Sequence, residues 1–253
     1  MYAKCVGVWR IPTLPIVPHH IRSIDGAVPA FGLLLGDDAR LVLEAAIKPT
    51  GGHVEDVTVR QVLYRPGRII TVEYRVRVGW RDRAATVETL IATSGGELPP
   101  GTAVIDAAGF EVAVWHYPND PFLPGLASIG TVAGARAALE AVGAGDRTVR
   151  LRRRSYRPGR RAVVEIVTPE ARMYAKVVRP GRVASLQAIH RSMLGRAPVP
   201  RSLGWSRESG VVLLEALPGR TVRSLLEKRR RGLPEAQDLI SLLDALPDPV
   251  ESG

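Results

Sequence analysis

One cysteine, Cys5, stands in 253 residues, which rules out an internal disulfide and any metal site built from several thiolates. Lysine is almost as scarce, with four among the 35 basic residues. No run approaches the roughly 18 apolar residues that a spanning helix needs. The stretch 1–18 is apolar over too short a length, and too often broken by proline, to read as a secretory leader. Aromatic residues make up 5% of the chain, leaving few rings to stack on nucleic-acid bases. His19-His20 is the one adjacent histidine pair, and no carboxylate or cysteine stands beside it at ligand spacing, so no metal site is read there. Together these absences predict a cytoplasmic protein with no membrane partner.

What is present is ordinary for a globular chain: 45% hydrophobic and 24% charged residues. The formal charge is +10 and the pI about 10.4, a balance that draws phosphorylated ligands and polyanions. Arginine, alanine, glycine, valine and proline are abundant where lysine and phenylalanine are rare. That is the mark of GC-rich codons, and it assigns much of the arginine to solvated surface.

The most informative stretch is TVRLRRRSYRPGRRAVVEIVTPEARMYAKVVR, residues 148–179. Three strand-like runs are separated by two turns, Arg157-Pro158-Gly159-Arg160 and Thr168-Pro169-Glu170-Ala171. Proline pre-sets φ for the second place of a tight turn, and glycine takes the positive φ of the third. The middle run alternates, with Ala162, Val164 and Ile166 on one face and Val163, Glu165 and Val167 on the other. The last run puts Met173, Ala175 and Val177 on one side, Tyr174, Lys176 and Val178 on the other. Lys176 therefore sits inside an apolar strand, where a charge is costly unless an anion meets it. A snorkelling lysine at a sheet edge is the plainer alternative.

The hairpin recurs. Tyr64-Arg65-Pro66-Gly67-Arg68 matches Tyr156-Arg157-Pro158-Gly159-Arg160 at a spacing of 92 residues, and a gap-free extension over 57–76 and 149–168 gives nine identities in twenty positions. This predicts a duplicated unit. Aligning Ser94-Gly95 with Pro180-Gly181 places Leu90 where the second copy has Lys176, so the first copy keeps the sheet and lacks the cation.

Helices are predicted over 39–47 behind Asp37-Asp38, with Leu41, Val42, Ala45 and Ala46 as its packing face. Another follows Thr131 and stops at Gly143. A domain boundary is placed there, giving domains 1–143 and 144–253. Beyond Lys176 the pattern reads as a helix over 183–194, burying Ala184, Leu186, Gln187, Ile189 and Met193. An extended arm, a short apolar strand at 211–215, the break Ala216-Leu217-Pro218-Gly219-Arg220, a helix capped by Thr221 and a last helix over 234–246 follow. The leucines and isoleucine of the last two helices, Leu225, Leu226, Leu239, Ile240, Leu242 and Leu243, call for a partner surface, so self-association through them is expected.

This order of elements resembles the N-terminal lobe of the aminoglycoside phosphotransferase-like kinases. The resemblance rests on the Ser155–Arg160 turn, Tyr174-Ala175-Lys176-Val177-Val178, the helix with Ala188-Ile189-His190, and Val212–Thr221, and it covers roughly residues 148–246. It implies an α+β fold of two kinase N-lobe-like antiparallel units in tandem, each with flanking helices, the C-terminal lobe being absent. It implies ATP as cofactor: Lys176 on the α/β-phosphates, Pro158, Gly159 and Arg160 over them, Val164, Ala175 and Leu213 as apolar walls, and the backbone of Glu215, Ala216 and Leu217 on the adenine edge. The pattern departs from the family twice. No acid occurs between Glu170 and Glu208 to pair Lys176 from the following helix, leaving Gln187 or Glu165 as substitutes. No histidine follows Thr221, so the loops that orient the acceptor and hold Mg²⁺ are missing. The resemblance thus implies the nucleotide-binding part of a severed phosphotransferase, inactive alone, whose small-molecule acceptor contacts lie elsewhere. A non-catalytic basic binding module or a regulatory pseudokinase is the alternative. Arg150, Arg152, Arg153, Arg154, Arg157, Arg160 and Arg161 crowd one hairpin, but only Tyr156 supplies a ring nearby, which makes nucleic acid the less favoured partner.

Overall fold

The computed structural model describes residues 9–14, 25, 26, 28, 30–107, 109–145, 148–228 and 232–246. Cys5 and His19-His20 lie outside them. The chain divides into two compact units, one of Met1–Ala127 with Pro158–Arg160, the other of Ser128–Arg157 with Arg161–Gly253.

The first unit carries β1 (Trp9–Leu14), α1 (Ala30–Leu35), α2 (Ala39–Ile47), β2 (Gly52–Arg65), β3 (Ile69–Trp80), β4 (Thr86–Ser94), β5 (Ala103–Ala107) and β6 (Phe110–His116). Its sheet has the order β1-β5-β6-β4-β3-β2, antiparallel throughout except for β1, which runs parallel to β5. Val72, Tyr74, Val76 and Val78 line one face of β3 and pack with Leu33, Leu34, Val42, Leu43 and Ile47 of the two helices. Leu41 is exposed, so the buried stripe of α2 is rotated by a residue from the one its sequence suggests, and Leu43 and Ile47 take the inward places.

The second unit contains α4 (Val132–Glu140), β7 (Arg150–Arg157), β8 (Arg161–Val167), β9 (Arg172–Val178), α5 (Pro180–Met193), β10 (Ser202–Ser206), β11 (Val211–Glu215), α6 (Val222–Glu227) and α7 (Ala236–Asp244); α3 (Pro124–Ile129) straddles the division between the units. The sheet order is β10-β11-β9-β8-β7, all antiparallel. The anticipated extended arm is thus the edge strand β10. Thr131 caps α4 by accepting from the Gly134 N–H at 3.1 Å, and Thr221 caps α6 from Ser224 in the same way.

The division falls at Ala127/Ser128, not at residue 143, and α4 goes with the second sheet. Here Gly204 of β10 leaves the room: a Cβ there would stand 2.8 Å from Cγ1 of Val142, just past α4. On α5 only Val183 and Gln187 are buried, while Ile189 is 43% exposed, so the helix meets the sheet through its first half.

Five strands of each sheet follow one plan. β2, β3, β4, β6 and β5 correspond in order to β7, β8, β9, β11 and β10. The hairpin registers agree as well: Thr58 faces Arg75 as Arg150 faces Val167, and Arg65 faces Ile69 as Arg157 faces Arg161. Each first strand has a bulge with arginine as its extra residue, Arg60 in β2 and Arg154 in β7, and β2 has a second one at Glu55. The arginine bulges stand two places apart in the 92-residue alignment, so between them the gap-free alignment slips by one: Gln61 and Val62 are the register counterparts of Arg152 and Arg153.

α7 buries no residue, and Leu243 is 64% exposed whereas Leu43 of α2 is fully enclosed. Urea unfolding separates the two environments. Leu43→Ala is expected to cost about 2–5 kcal/mol, and Leu243→Glu to stay within about 0.5 kcal/mol of the parent chain.

Candidate functional site

β9 is the central strand of the second sheet, and its pleat decides what each residue can do. Lys176 stands between Val163 of β8 and Val212 of β11, one row across three strands. The next row along, Val164–Ala175–Leu213, points the other way because successive side chains alternate faces. All three of its members are at most 3% exposed. The apolar walls expected beside Lys176 are therefore core residues on the opposite face, and they do not share a cavity with its ammonium. On the lysine's own face lie Tyr174 and Val178 of the same strand, with Glu165 opposite Tyr174. α5 covers part of this face, where Val183 and Leu186 pack on Val178, Val212 and Leu214.

Lys176 is half-buried, and its pKa is held below the ordinary lysine range, first by loss of water and then by the guanidinium of Arg161 nearby. Among the described residues no carboxylate forms an ion pair with it. Glu165 is otherwise engaged: Oε1 accepts from the Tyr174 hydroxyl at 3.3 Å and lies 3.4 Å from Nε of Arg172, while Oε2 is 3.9 Å from Arg154. That Oε2 has no hydrogen bond although the side chain is almost fully buried. Gln187, the other substitute for a helix acid, accepts from the Ser202 hydroxyl at 3.3 Å. A desolvated cation next to a second cation, with both nearby polar side chains committed elsewhere, is an arrangement that an anionic ligand would relieve.

At the far end of β11, Glu215 takes the Arg201 guanidinium in a two-point pair, Nε to Oε2 at 3.1 Å and Nη2 to Oε1. Those bonds hold the Glu215 carboxyl below its usual range. The Glu215 N–H donates to Arg201 O at 3.0 Å and the Ala216 N–H to Arg172 O at 3.1 Å. Two of the three amides expected to meet an adenine edge are thus spent on the sheet. Among the described residues the Leu217 amide has no such partner.

The Pro158-Gly159-Arg160 turn is placed differently from expectation. It belongs to the first unit, Pro158 and Gly159 are buried, and the Gly159 N–H donates to Oδ2 of Asp120 at 2.7 Å. The first copy does the same: Gly67, also at φ +67°, donates to Oδ2 of Asp25 at 2.7 Å, and the Tyr64 hydroxyl adds a bond of 2.6 Å to that oxygen. A carboxylate of the chain itself occupies the place foreseen for a phosphate. The first copy has no lysine to serve, so the clamp is a property of the duplicated fold. Asp25 and Asp120 were not singled out from sequence, although Asp25-x-x-x-Pro29 and Asp120-x-x-x-Pro124 repeat 95 residues apart and could have given the signal.

The counterpart of Lys176 in the first sheet is Thr93, not Leu90. Thr71 faces Thr93 as Val163 faces Lys176. The two threonine hydroxyls are 2.8 Å apart, and Thr93 Oγ1 also donates to Ile70 O at 2.9 Å, a buried and self-satisfied pair where the second copy has a cation. The first copy reaches its glycine two residues after Thr93, the second five after Lys176 and with α5 following, so matching the two segments by their glycines slides the strand by three places.

Among the described residues there is no cluster of three or more metal-ligating side chains, and no helix is long and apolar enough to cross a membrane. Comparison with family models, curated proteins and solved structures returned no match.

The lowered pKa of Lys176 gives a signed expectation. Charging the folded site is penalised at every pH below the folded-state pKa, and the penalty is relieved as pH rises through that value toward 10.5. Lys176→Met is therefore expected to raise the thermal midpoint at pH 7 and to lose that advantage by about pH 10.5. A midpoint that falls at pH 7 would contradict the desolvated state of the ammonium.

Proposed function

We propose that the second unit is the nucleotide-binding half of an ATP-dependent small-molecule phosphotransferase of the aminoglycoside phosphotransferase-like kind, without chemistry of its own in this chain. Lys176 carries the reading. It is a half-buried cation on a central strand, followed by a helix and then by the strand whose end would meet the base. The bound nucleotide would supply the transferable phosphoryl group, and Mg²⁺ would neutralise charge on its oxygens.

The residues divide the work along one face. The Lys176 ammonium, with Arg161 beside it, binds and orients the phosphates by charge. Tyr174 lies one pleat nearer the Glu215 end, about 7 Å away along the strand, and offers its ring to the base. Leu217 supplies the amide that Glu215 and Ala216 do not have to spare. Val164, Ala175, Leu213, Pro158 and Gly159 support the sheet and its turn and drop out of the ligand set. The carboxylates that would hold Mg²⁺ and orient an acceptor hydroxyl belong to a further lobe. Affinity should therefore be weak, because half a cleft leaves the ligand in contact with water.

Titration of the chain with ATP, followed by calorimetry and thermal shift, tests this. Saturation in the millimolar range is expected, with at least a tenfold loss in Lys176→Met and a smaller loss in Tyr174→Ala. Equal binding by the parent chain and Lys176→Met would end the reading. The exposed apolar residues of α6 and α7, with Leu226 at 58% and Ile240 at 48%, bear on a second property. Light scattering should give a mass well above 27.4 kDa for the parent chain and a return toward it for Leu239→Glu/Leu243→Glu; a monomeric parent would leave the proposed self-association without support.

A further inference from the structure

β2 and β7 are the outermost hairpin strands of their sheets, each paired on one side only. Such an edge is a template for stray pairing, and bulges and charges are the usual guards. Both strands have a bulge that carries arginine, Arg60 in β2 and Arg154 in β7. There the likeness ends. Residues 148–161 hold seven arginines and no acid, while residues 56–69 hold three arginines and one aspartate. At matched register, Arg150 replaces Thr58, Arg152 replaces Gln61, Arg153 replaces Val62 and Arg161 replaces Ile69. The same strand, the same turn and the same free edge are thus built in the first copy without these four cations. A codon bias toward arginine acts on both copies alike and does not account for the contrast.

The four side chains are exposed. No residue between 148 and 161 is among the exposed large hydrophobics, so the strip has nothing to insert into a bilayer. Tyr156, its one ring, is 5% exposed and out of reach of a splayed base. Arg150 and Arg152 of β7, opposite Val167 and Glu165, share a face with Arg161 of β8, while Arg153, opposite Val164 and beside the Tyr156 ring, lies on the other face, so guanidinium groups flank both sides of an edge strand about 27 Å long at the usual rise. Positive charge on both sides of one edge suits a polyanionic backbone laid along that edge. Scarce aromatics argue against base stacking but leave backbone contact untouched.

We propose that the outer edge of the second sheet is a docking strip for the phosphodiester backbone of duplex nucleic acid, bound without regard to base. Arg150, Arg152 and Arg153 play no part in the nucleotide reading, which rests on Lys176; Arg161 is common to both, and Arg150→Gln/Arg152→Gln separates them because it should weaken duplex binding and leave ATP binding unchanged. The test is fluorescence anisotropy with a random-sequence DNA duplex of about 25 base pairs. Arg150→Thr/Arg152→Gln/Arg153→Val/Arg161→Ile, which installs the residues of the first copy, is compared with a control that removes four exposed charges elsewhere, Arg182→Gln/Arg191→Gln/Arg196→Gln/Arg207→Gln. The parent chain is expected to lose about tenfold in affinity between 100 and 200 mM salt, as four phosphate contacts require. The strip variant should bind at least tenfold more weakly with a nearly flat salt dependence, and the control should stay within about threefold of the parent. Arg150→Gln/Arg152→Gln, whose circular dichroism should match the parent, carries the same test at half the charge if the fourfold variant does not fold. Equal losses in strip and control variants would reduce the effect to net charge. A strip variant that binds DNA as the parent does but dimerises would make the arginines edge guards. Binding to phosphatidylserine vesicles without binding to duplex would assign the strip to membranes. Each of these three results overturns the proposal.

Discussion

A pleated strand commits every side chain to one of two faces, and in β9 both faces are used for different ends. Met173, Ala175 and Val177 close the core, while Tyr174, Lys176 and Val178 face outward to a surface that α5 covers only in part. Nothing on this strand can serve both sides. The chemistry open to Lys176 is therefore set by its row partners Val163 and Val212, by Arg161 close at hand, and by the way Glu165 has already been claimed by Arg172, Arg154 and Tyr174.

The duplication works as a control inside one molecule. Features held in both copies belong to the architecture: the strand order, the bulged first strand, the buried glutamates Glu73 and Glu165, and the Asp25 and Asp120 carboxylates that grip the glycine amide of each turn. Features in one copy alone require another reason. Lys176 against Thr93 is one such difference, the arginines of β7 against the mixed side chains of β2 another, and α5 between β9 and β10 a third. All three fall in the second unit, which concentrates the candidate functions there.

Local signals were enough for most of the strands and several helix ends. Alternation located β8 and β9, the Arg-Pro-Gly-Arg turns located both hairpins, and Thr131, Thr221 and Gly143 marked helix boundaries through capping hydroxyls and a positive φ. Short elements without a strong period, such as β5 and α3, were not legible, and β10 showed only as an extended arm, because five or six residues give too little pattern to set against turn chemistry. The site was legible only in part. Alternation puts Ala175 and Lys176 on opposite faces, so the single pocket that the order of elements implies does not hold both.

The amino-acid order on its own determined the repeat, the hairpins and the position of a lysine within an apolar strand, since each depends on neighbours a few bonds away. The rest was decided by long-range pairing. Register made Thr93 the counterpart of Lys176, burial spent the Gly159 amide on Asp120, and packing moved α4 into the second unit. Each of those outcomes turns on which residues meet across a sheet or beneath a helix, and a linear chain does not state its partners.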